Sequence, residues 1–164
     1  MKYFIDTEFS ERGYGELIEL ISIGVVDENG NALYRCNSNF DPDPDHVNDW
    51  VRENVLSLLP SRLTSYWMPL QSIRNEIFHF ISGPSVVDRD VELWGYYCDY
   101  DYVILSQLFG GMAGWPQGWP AMMHDLRQWL DHEGLHFVSQ PDDAPHDAMA
   151  DARWIRETYL RFRP

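Results

Sequence analysis

Residues 16–40 read ELIELISIGVVDENGNALYRCNSNF, and this segment predicts two antiparallel strands joined by a tight turn. Residues 16–27 are rich in Ile and Val, as strands commonly are. The Asn29-Gly30 pair is a hairpin turn signal, and residues 32–40 supply the returning strand. A short apolar run at residues 2–6 predicts a further strand, so we expect the hairpin to pack beside it.

Helices alternate with one more strand in the rest of the chain. Residues 91–97 predict a buried strand, and residues 110–120, GGMAGWPQGWP, predict an irregular loop. This order predicts an α/β fold with a mixed sheet, an antiparallel hairpin plus parallel strands, flanked by helices on both faces. We expect a single domain over residues 1–164. The predicted helices cover residues 46–59, 70–81, 101–109, 122–132 and 147–162.

The composition is that of a folded and strongly acidic protein. Hydrophobic residues make up 45% and aromatic residues 15% of the chain, which favours a core over a disordered tail. The net charge of −14 disfavours groove binding to duplex DNA, but it permits an enzyme that holds only the end of a strand. No apolar run reaches membrane length, the carboxylate of Asp6 disfavours a signal peptide, and Cys36 and Cys98 form no CxxC pair. We therefore expect a cytoplasmic protein with reduced thiols and no membrane partner.

Acidic side chains fall at two predicted strand ends. Asp6 and Glu8 close the first predicted strand, and alternation places them on one face, about 6–7 Å apart. Such a pair is tolerated when a cation lies between its members, although two solvated acids would give the same pattern. Asp101 follows the buried strand and opens a helix, where it could also be a plain helix cap. Asp99 is an alternative at the same corner.

The run HDAMADAR at residues 146–153 adds a histidine and another acid. If a helix starts at Asp147, His146 lies just outside it and can fold over the first turn toward Asp151. A surface histidine and a first-turn acid are the ordinary alternatives. Taken with the other acids, however, the run completes a set of four carboxylates and one imidazole. Oxygen ligands of this kind select hard cations such as Mg²⁺ or Mn²⁺.

These motifs resemble those of the DEDDh 3′–5′ exonucleases, which have a ribonuclease H-like fold. Residues 4–9, FIDTEF, are similar to the first motif of that family. Residues 100–105, YDYVIL, are similar to the second, in which an acid four places before Leu selects Asp101. His146 and Asp151 match the third, His-x4-Asp. Three further segments are most similar to the small polyadenylate-specific exoribonucleases of the RNase AS type: ELISIGVV, VELW and DYVILSQLFG.

The resemblance implies hydrolysis of single-stranded RNA from its 3′ end, with a preference for poly(A) and release of nucleoside 5′-monophosphates. Two Mg²⁺ ions per site, with Mn²⁺ as a possible substitute, would be held by Asp6, Glu8, Asp101 and Asp151. His146 would act as the general base on the attacking water. Because similar proteins form homodimers, we also expect a homodimer.

Four residues near the first motif are candidates for contact with the terminal nucleotide: Thr7, Phe9, Leu17 and Ile18. Phe9 could stack on a base or wedge against it, and Leu17 and Ile18 are further wedge candidates. Core packing is the alternative for these apolar residues, most of all for Ile18. Three tryptophans are additional candidate platforms, two of them in a loop that could instead form a dimer contact or a lid: Trp67, Trp115 and Trp119.

Other functions remain open at this point. The chain could be an exonuclease acting on single-stranded DNA or short oligonucleotides, or a non-catalytic module that binds nucleic-acid 3′ ends. An endonuclease of the ribonuclease H type would share the fold and metals, but the His-x4-Asp motif disfavours it. A structural acidic protein with solvated carboxylates would bind no metal stoichiometrically.

Overall fold

The computed structural model describes residues 1–43, 47–83, 90–135, 140 and 145–163. A mixed sheet of six strands lies at its centre. The strands are β1 Lys2–Ser10, β2 Glu19–Asp27, β3 Ala32–Asn37, β4 Trp67–Met68, β5 Glu92–Gly95 and β6 His124–Asp125. In the sheet they lie in the order β4-β3-β2-β1-β5-β6. The β1–β2 and β2–β3 pairs are antiparallel, whereas β1–β5, β5–β6 and β3–β4 are parallel, which confirms the predicted mixed sheet.

Helices cover both faces of this sheet. They are α1 Asp49–Asn54, α2 Leu70–Ser82, α3 Asp99–Leu108, α4 Leu126–His132 and α5 Ala148–Phe162. In β1, Tyr3 and Ile5 pack in one cluster with residues of α2 and α3, whereas Phe4 packs on the opposite face with residues of α4 and α5. This alternation is the two-residue period of a strand that is buried on both sides. Asp6 and Glu8 lie an even number of residues from Phe4, so their side chains are on the same face of β1 and point toward α5.

A β-bulge lies where β1 passes the acidic residues. Glu8 is paired with Ser22 and Phe9 with Leu20, so Ile21 has no partner on β1. An extra residue of this kind re-aims its side chain. Ile21 accordingly leaves the α2–α3 cluster that holds Leu20 and Ile23, and it packs in a separate small cluster with Phe40 and the buried face of α1. The bulge thereby helps to bring α1 beside the acidic part of β1.

Gly24 lets α5 approach the sheet closely. It lies opposite Asp6 in the β1–β2 ladder, and a Cβ at this position would overlap the carbonyl of Ala148 and come within 2.8 Å of the Cα of Met149. A backbone approach of this closeness requires glycine. The first turn of α5 is therefore held directly over Asp6.

Several predicted boundaries differ from the structure. The first strand does not end at Asp6–Glu8 but continues to Ser10, so both acids lie within it. The predicted helix at 46–59 is instead a six-residue α1 followed by a 3-10 turn at Leu56–Leu58. The predicted helix at 122–132 begins with the short strand β6, whose side chain Asp125 then caps α4.

The loop at 110–120 packs into the core rather than standing free. Trp119 is buried, and its indole N–H donates to Ser82 Oγ at 3.1 Å. Trp115 packs against the same cluster and donates to the carbonyl of Pro120. Trp67 is partly buried beneath the guanidinium of Arg62. Trp119 is therefore not an open stacking platform, whereas a stacking role for Trp67 or Trp115, and a lid or dimer contact at this loop, stay predictions. Among the described residues, no helix has both the length and the apolar content to span a bilayer.

Candidate metal centre and active site

Three carboxylates converge on the face of the sheet that α5 covers. Asp6 and Glu8 come from adjacent same-face positions of β1, and Asp151 comes from the first turn of α5. One ligand oxygen from each lies within 4.8 Å of the others. Glu8 is buried, and Asp6 and Asp151 are partly buried. The chain thus places three anionic groups, remote in sequence, in one small volume.

These carboxylates are unfavourable as bare anions. Burial raises the pKa of Glu8 to about 8, and the negative charges of Asp151 and Asp147 add to the effect. Burial and the negative charge of Asp101 raise the pKa of Asp6 well above its usual range. Burial also raises the pKa of Asp151, although a hydrogen bond from Gln140 opposes the change. A cation between the three groups would remove this cost.

Asp101 stands beside this cluster and is held by β1 itself. Its Oδ1 accepts a hydrogen bond from the backbone N–H of Thr7 at 2.8 Å and another from the Thr7 hydroxyl at 2.6 Å. Beyond Phe4, β1 no longer pairs with β5, so the N–H of Thr7 is free to bind this carboxylate. Burial raises the pKa of Asp101 to about 6, although the two hydrogen bonds from Thr7 oppose the change. Asp101 lies close enough to Asp6 to repel it, but outside the set of three.

The turn between β5 and α3 places Asp101. The carboxylate of Asp125, at the end of the neighbouring β6, accepts from the backbone N–H of Cys98 at 2.9 Å. Tyr97 has a φ of 52°, a left-handed conformation that a non-glycine residue seldom adopts. The helix begins at Asp99, so Asp101 lies in its first turn, as the sequence predicted for one of the two acids. Asp99 is exposed, which leaves it outside the buried cluster.

His146 lies in the same cleft, one residue before the Asp147 N-cap of α5. The Asp147 side chain accepts from the N–H of Ala150 at 2.8 Å, so the histidine is fixed at the helix entrance as expected. Its side chain is exposed, and its ring meets that of Trp50 edge to face with a centroid distance of 4.7 Å. The structure therefore brings His146 to the cluster without burying it.

The cleft around the carboxylates has a volume of about 390 Å³. Phe9 lines it and stacks on Tyr100, with centroids 5.1 Å apart and planes 7° apart. Other aromatic side chains line it too, and no Lys or Arg is among the described residues of its wall. Those aromatic residues are Trp50, Tyr96 and Trp154.

Of the other predicted substrate residues, Thr7 also lines the cleft, whereas Leu17 and Ile18 lie outside it. Leu17 is 74% exposed and Ile18 is partly buried, and both line an adjoining groove of about 440 Å³ rather than the cleft. A smaller hollow containing both residues reaches the cleft through Glu11 and Asn48. Thr7 is buried, and its N–H and hydroxyl are both engaged by Asp101. Their contact with a nucleotide stays a prediction.

Sequence reasoning missed Gln140 and Trp50, among other residues of the cleft. Gln140 donates to Asp151 Oδ1 at 2.6 Å, and it lies in a Pro-bearing stretch with no pattern that could have singled it out. Trp50 falls within the helix predicted for residues 46–59, whose apolar face packs on the core. Val47, Val51 and Val55 form that face at four-residue spacing, so the residue before Val51 is rotated by about 100° away from it. The spacing could have shown that Trp50 points elsewhere.

The donor set fits divalent metal. Carboxylate oxygens are the ligands of hard cations, and the described wall of the cleft offers no basic side chain to neutralise the acids instead. The raised pKa values are the expected sign of a metal site considered without its ion. The acidic cluster can therefore hold a metal ion.

The fold is ribonuclease H-like. The Schizosaccharomyces pombe protein Pop2p, whose structure was solved in a Mg²⁺- and Mn²⁺-bound form, superposes with a TM-score of 0.62 at 15% sequence identity. The match covers 99% of this chain and 82% of that one. At this level of identity the likeness establishes the architecture alone.

Sequence comparison specifies the family. Residues 1–161 match the family described as the 3′-5′ exoribonuclease Rv2179c-like domain. Two relatives from Mycobacterium tuberculosis strains, the 3′-5′ exoribonucleases Rv2179c (ATCC 25618 / H37Rv) and MT2234.1 (CDC 1551 / Oshkosh), are each 41% identical over 164 residues. The alignments cover 99% of this chain and 92% of theirs. This chain belongs to the Rv2179c-like 3′-5′ exoribonuclease family, which confirms the resemblance identified from its motifs.

Proposed function

We propose that this protein removes nucleoside 5′-monophosphates from the 3′ end of single-stranded RNA, with poly(A) as its preferred substrate. The proposal rests on family membership and on one observation above all, the convergence of Asp6, Glu8 and Asp151 within 4.8 Å in an aromatic-lined cleft. A solvated acidic surface would not concentrate its carboxylates in a buried position.

Asp6, Glu8 and Asp151 would hold two Mg²⁺ or Mn²⁺ ions together with Asp101. When bound, the ions supply a water nucleophile and neutralise charge on the phosphodiester. Asp101 is oriented by its two hydrogen bonds from Thr7, so it can contribute directly or through a water molecule. Gln140 orients Asp151 through its contact with Oδ1.

His146 is the general base in this proposal. It lies beside Asp151 at the open side of the cleft, where an exposed imidazole can take a proton from water and pass it to solvent. Histidine suits this role because its side chain titrates near physiological pH. The rigid carboxylates and the exposed base thus divide the work between holding cations and moving protons.

The strand end would be held by stacking rather than by positive charge. The net charge of −14 disfavours contact with a long polyanion, whereas the stacked Phe9–Tyr100 pair offers a surface that accepts a base. Phe9, Leu17 and Ile18 remain the proposed contacts of the last nucleotides. We also propose that the protein forms a homodimer, as the family resemblance implies.

The decisive assay uses 5′-labelled single strands of poly(A), mixed-sequence RNA and DNA with Mg²⁺. We expect a ladder that shortens from the 3′ end of RNA, fastest on poly(A), with nucleoside 5′-monophosphates as products. Internal cuts would indicate an endonuclease. Faster degradation of DNA would reassign the substrate, and metal-dependent binding without degradation would indicate a non-catalytic 3′-end module.

A further inference from the structure

The contact between Trp50 and His146 is an unusual way to hold a general base. The two rings meet at 70° with centroids 4.7 Å apart. His146 is exposed and precedes α5, so it lies outside the hydrogen-bonded turns of the helix. Within the residues that the structure describes, its imidazole has no hydrogen-bond partner, although it lies near enough to Asp151 for an electrostatic interaction. The edge-to-face contact with Trp50 is the packing contact that restrains the ring.

Trp50 is itself well placed to restrain a neighbour. The N-cap Asn48 accepts from the N–H of Val51 at 2.8 Å, and the buried side chains of Val51 and Val55 fix α1 against the β-bulge. The backbone of Trp50 is thus anchored, yet its side chain is 53% exposed and lines the cleft. Core packing does not account for an indole that is held half in solvent at this position.

We infer that Trp50 is a positioning residue, which sets the imidazole of His146 against the carboxylate cluster. The inference rests on the proposed function in taking His146 as the base. In many enzymes a carboxylate or carbonyl orients the catalytic histidine by a hydrogen bond. Here the edge-to-face contact with the Trp50 ring orients His146 instead of a hydrogen bond. A displacement of about 1 Å at a reacting group can cost about 10²-fold in rate, so losing the contact should affect turnover.

The test compares three variants with the wild-type protein. Trp50→Ala removes the ring, Trp50→Phe keeps an aromatic ring on the same anchored backbone, and Leu58→Ala removes a half-exposed apolar side chain from the 3-10 turn that follows α1. Steady-state kinetics on 5′-labelled RNA give kcat and KM separately. Proton NMR gives the imidazole resonances of His146, assigned with His146→Ala, and the exposed His132 serves as the internal reference.

We expect Trp50→Ala to lower kcat by about 10–100-fold with little change in KM, and Trp50→Phe to restore most of the loss. Leu58→Ala should match the wild type. The His146 resonances should carry a ring-current shift that collapses toward the His132 values in Trp50→Ala and returns in Trp50→Phe.

Other outcomes would overturn the inference. A higher KM with unchanged kcat would make Trp50 a stacking platform for the substrate, and equal losses in the alanine and phenylalanine variants would exclude an aromatic restraint. An equal loss in Leu58→Ala would show that disturbing this segment suffices. If the wild-type protein degrades no RNA, the proposed function fails, but the NMR comparison still decides whether Trp50 restrains His146.

Discussion

The two halves of the candidate active site are built in opposite ways. The carboxylates project from the middle of a central strand and the first turn of a 15-residue helix, where backbone hydrogen bonds fix them. His146 lies outside regular structure, is exposed, and contacts the ring of Trp50 edge to face. The difference follows from the chemistry proposed for each half. Ligands must keep their spacing against mutual repulsion, whereas a base needs contact with water.

The largest effect is expected at the rigid half. Asp6→Asn should reduce RNA degradation by about 10³-fold or more, because metal-ion catalysis contributes several kcal/mol to the transition state. Stoichiometric Mn²⁺ binding, measured by calorimetry, should be lost as well. Asp99→Asn is the matched control, since Asp99 is an exposed acid in the first turn of α3 and should leave both properties unchanged. Retained Mn²⁺ binding in Asp6→Asn would contradict the ligand assignment.

Substitution of the exposed His146 should reduce catalysis without reducing metal binding. His146→Ala should lower kcat by about 10²–10⁴-fold, the usual contribution of a general base, while Mn²⁺ affinity stays close to that of the wild type. His132→Ala provides the control for loss of an exposed histidine. Wild-type rates in His146→Ala at neutral pH would exclude His146 as the general base. The proposed difference in role between His146 and the carboxylates would then be wrong.

A smaller effect on metal binding should follow when α5, which carries Asp151, is displaced from β1. In Gly24→Ala the new Cβ would overlap the carbonyl of Ala148, so the first turn of α5 must move away from β1. We expect a loss of about 1–3 kcal/mol in the free energy of unfolding, as for other overpacked sites, together with weaker Mn²⁺ binding. Denaturant titration and calorimetry measure the two quantities. A variant with wild-type metal affinity would show that Asp151 does not depend on this close approach.

The most gradual effect concerns the pH dependence of the metal-free protein. Because burial raises the pKa of Glu8 from 4.5 to about 8, the folded state holds a proton that the unfolded state has released. This group stabilises the fold fully below about pH 4.5, and its contribution is lost as pH rises through about 8. The raised pKa of Asp6 acts in the same direction. The free energy of unfolding should therefore fall between pH 5 and 9, on the order of a few kcal/mol.

Two comparisons check the origin of that slope. Glu8→Gln should flatten it, because the variant has no proton to lose at this position. Saturating Mn²⁺ should oppose it, because the bound cation favours the ionised carboxylates. A wild-type profile that is flat across this range, or identical to that of Glu8→Gln, would show that the repulsion is relieved in another way.

The motif residues were within reach of sequence reasoning, but their surroundings were not. The two-residue period of a strand was enough to place Asp6 and Glu8 on one face, and a helix start at Asp147 was enough to bring His146 toward Asp151. The β-bulge at Ile21 was not predictable, because residues 20–26 are buried on both faces of the sheet and no alternation of polar and apolar residues marks their register. Gly24 resembles any glycine within a strand until α5 lies across it.

The sequence by itself determined the longer strands and helices, the family, and the residue types that could bind a metal, because these depend on local periodicity and on short motifs. Only the tertiary structure decided that three of the acids meet within 4.8 Å, that Asp101 is bound to Thr7, and that Trp50 touches His146. Those contacts join residues as far apart in the sequence as Asp6 and Asp151. Their distances are set by how helices pack on a sheet, through the bulge and a missing Cβ, and no local pattern encodes that packing.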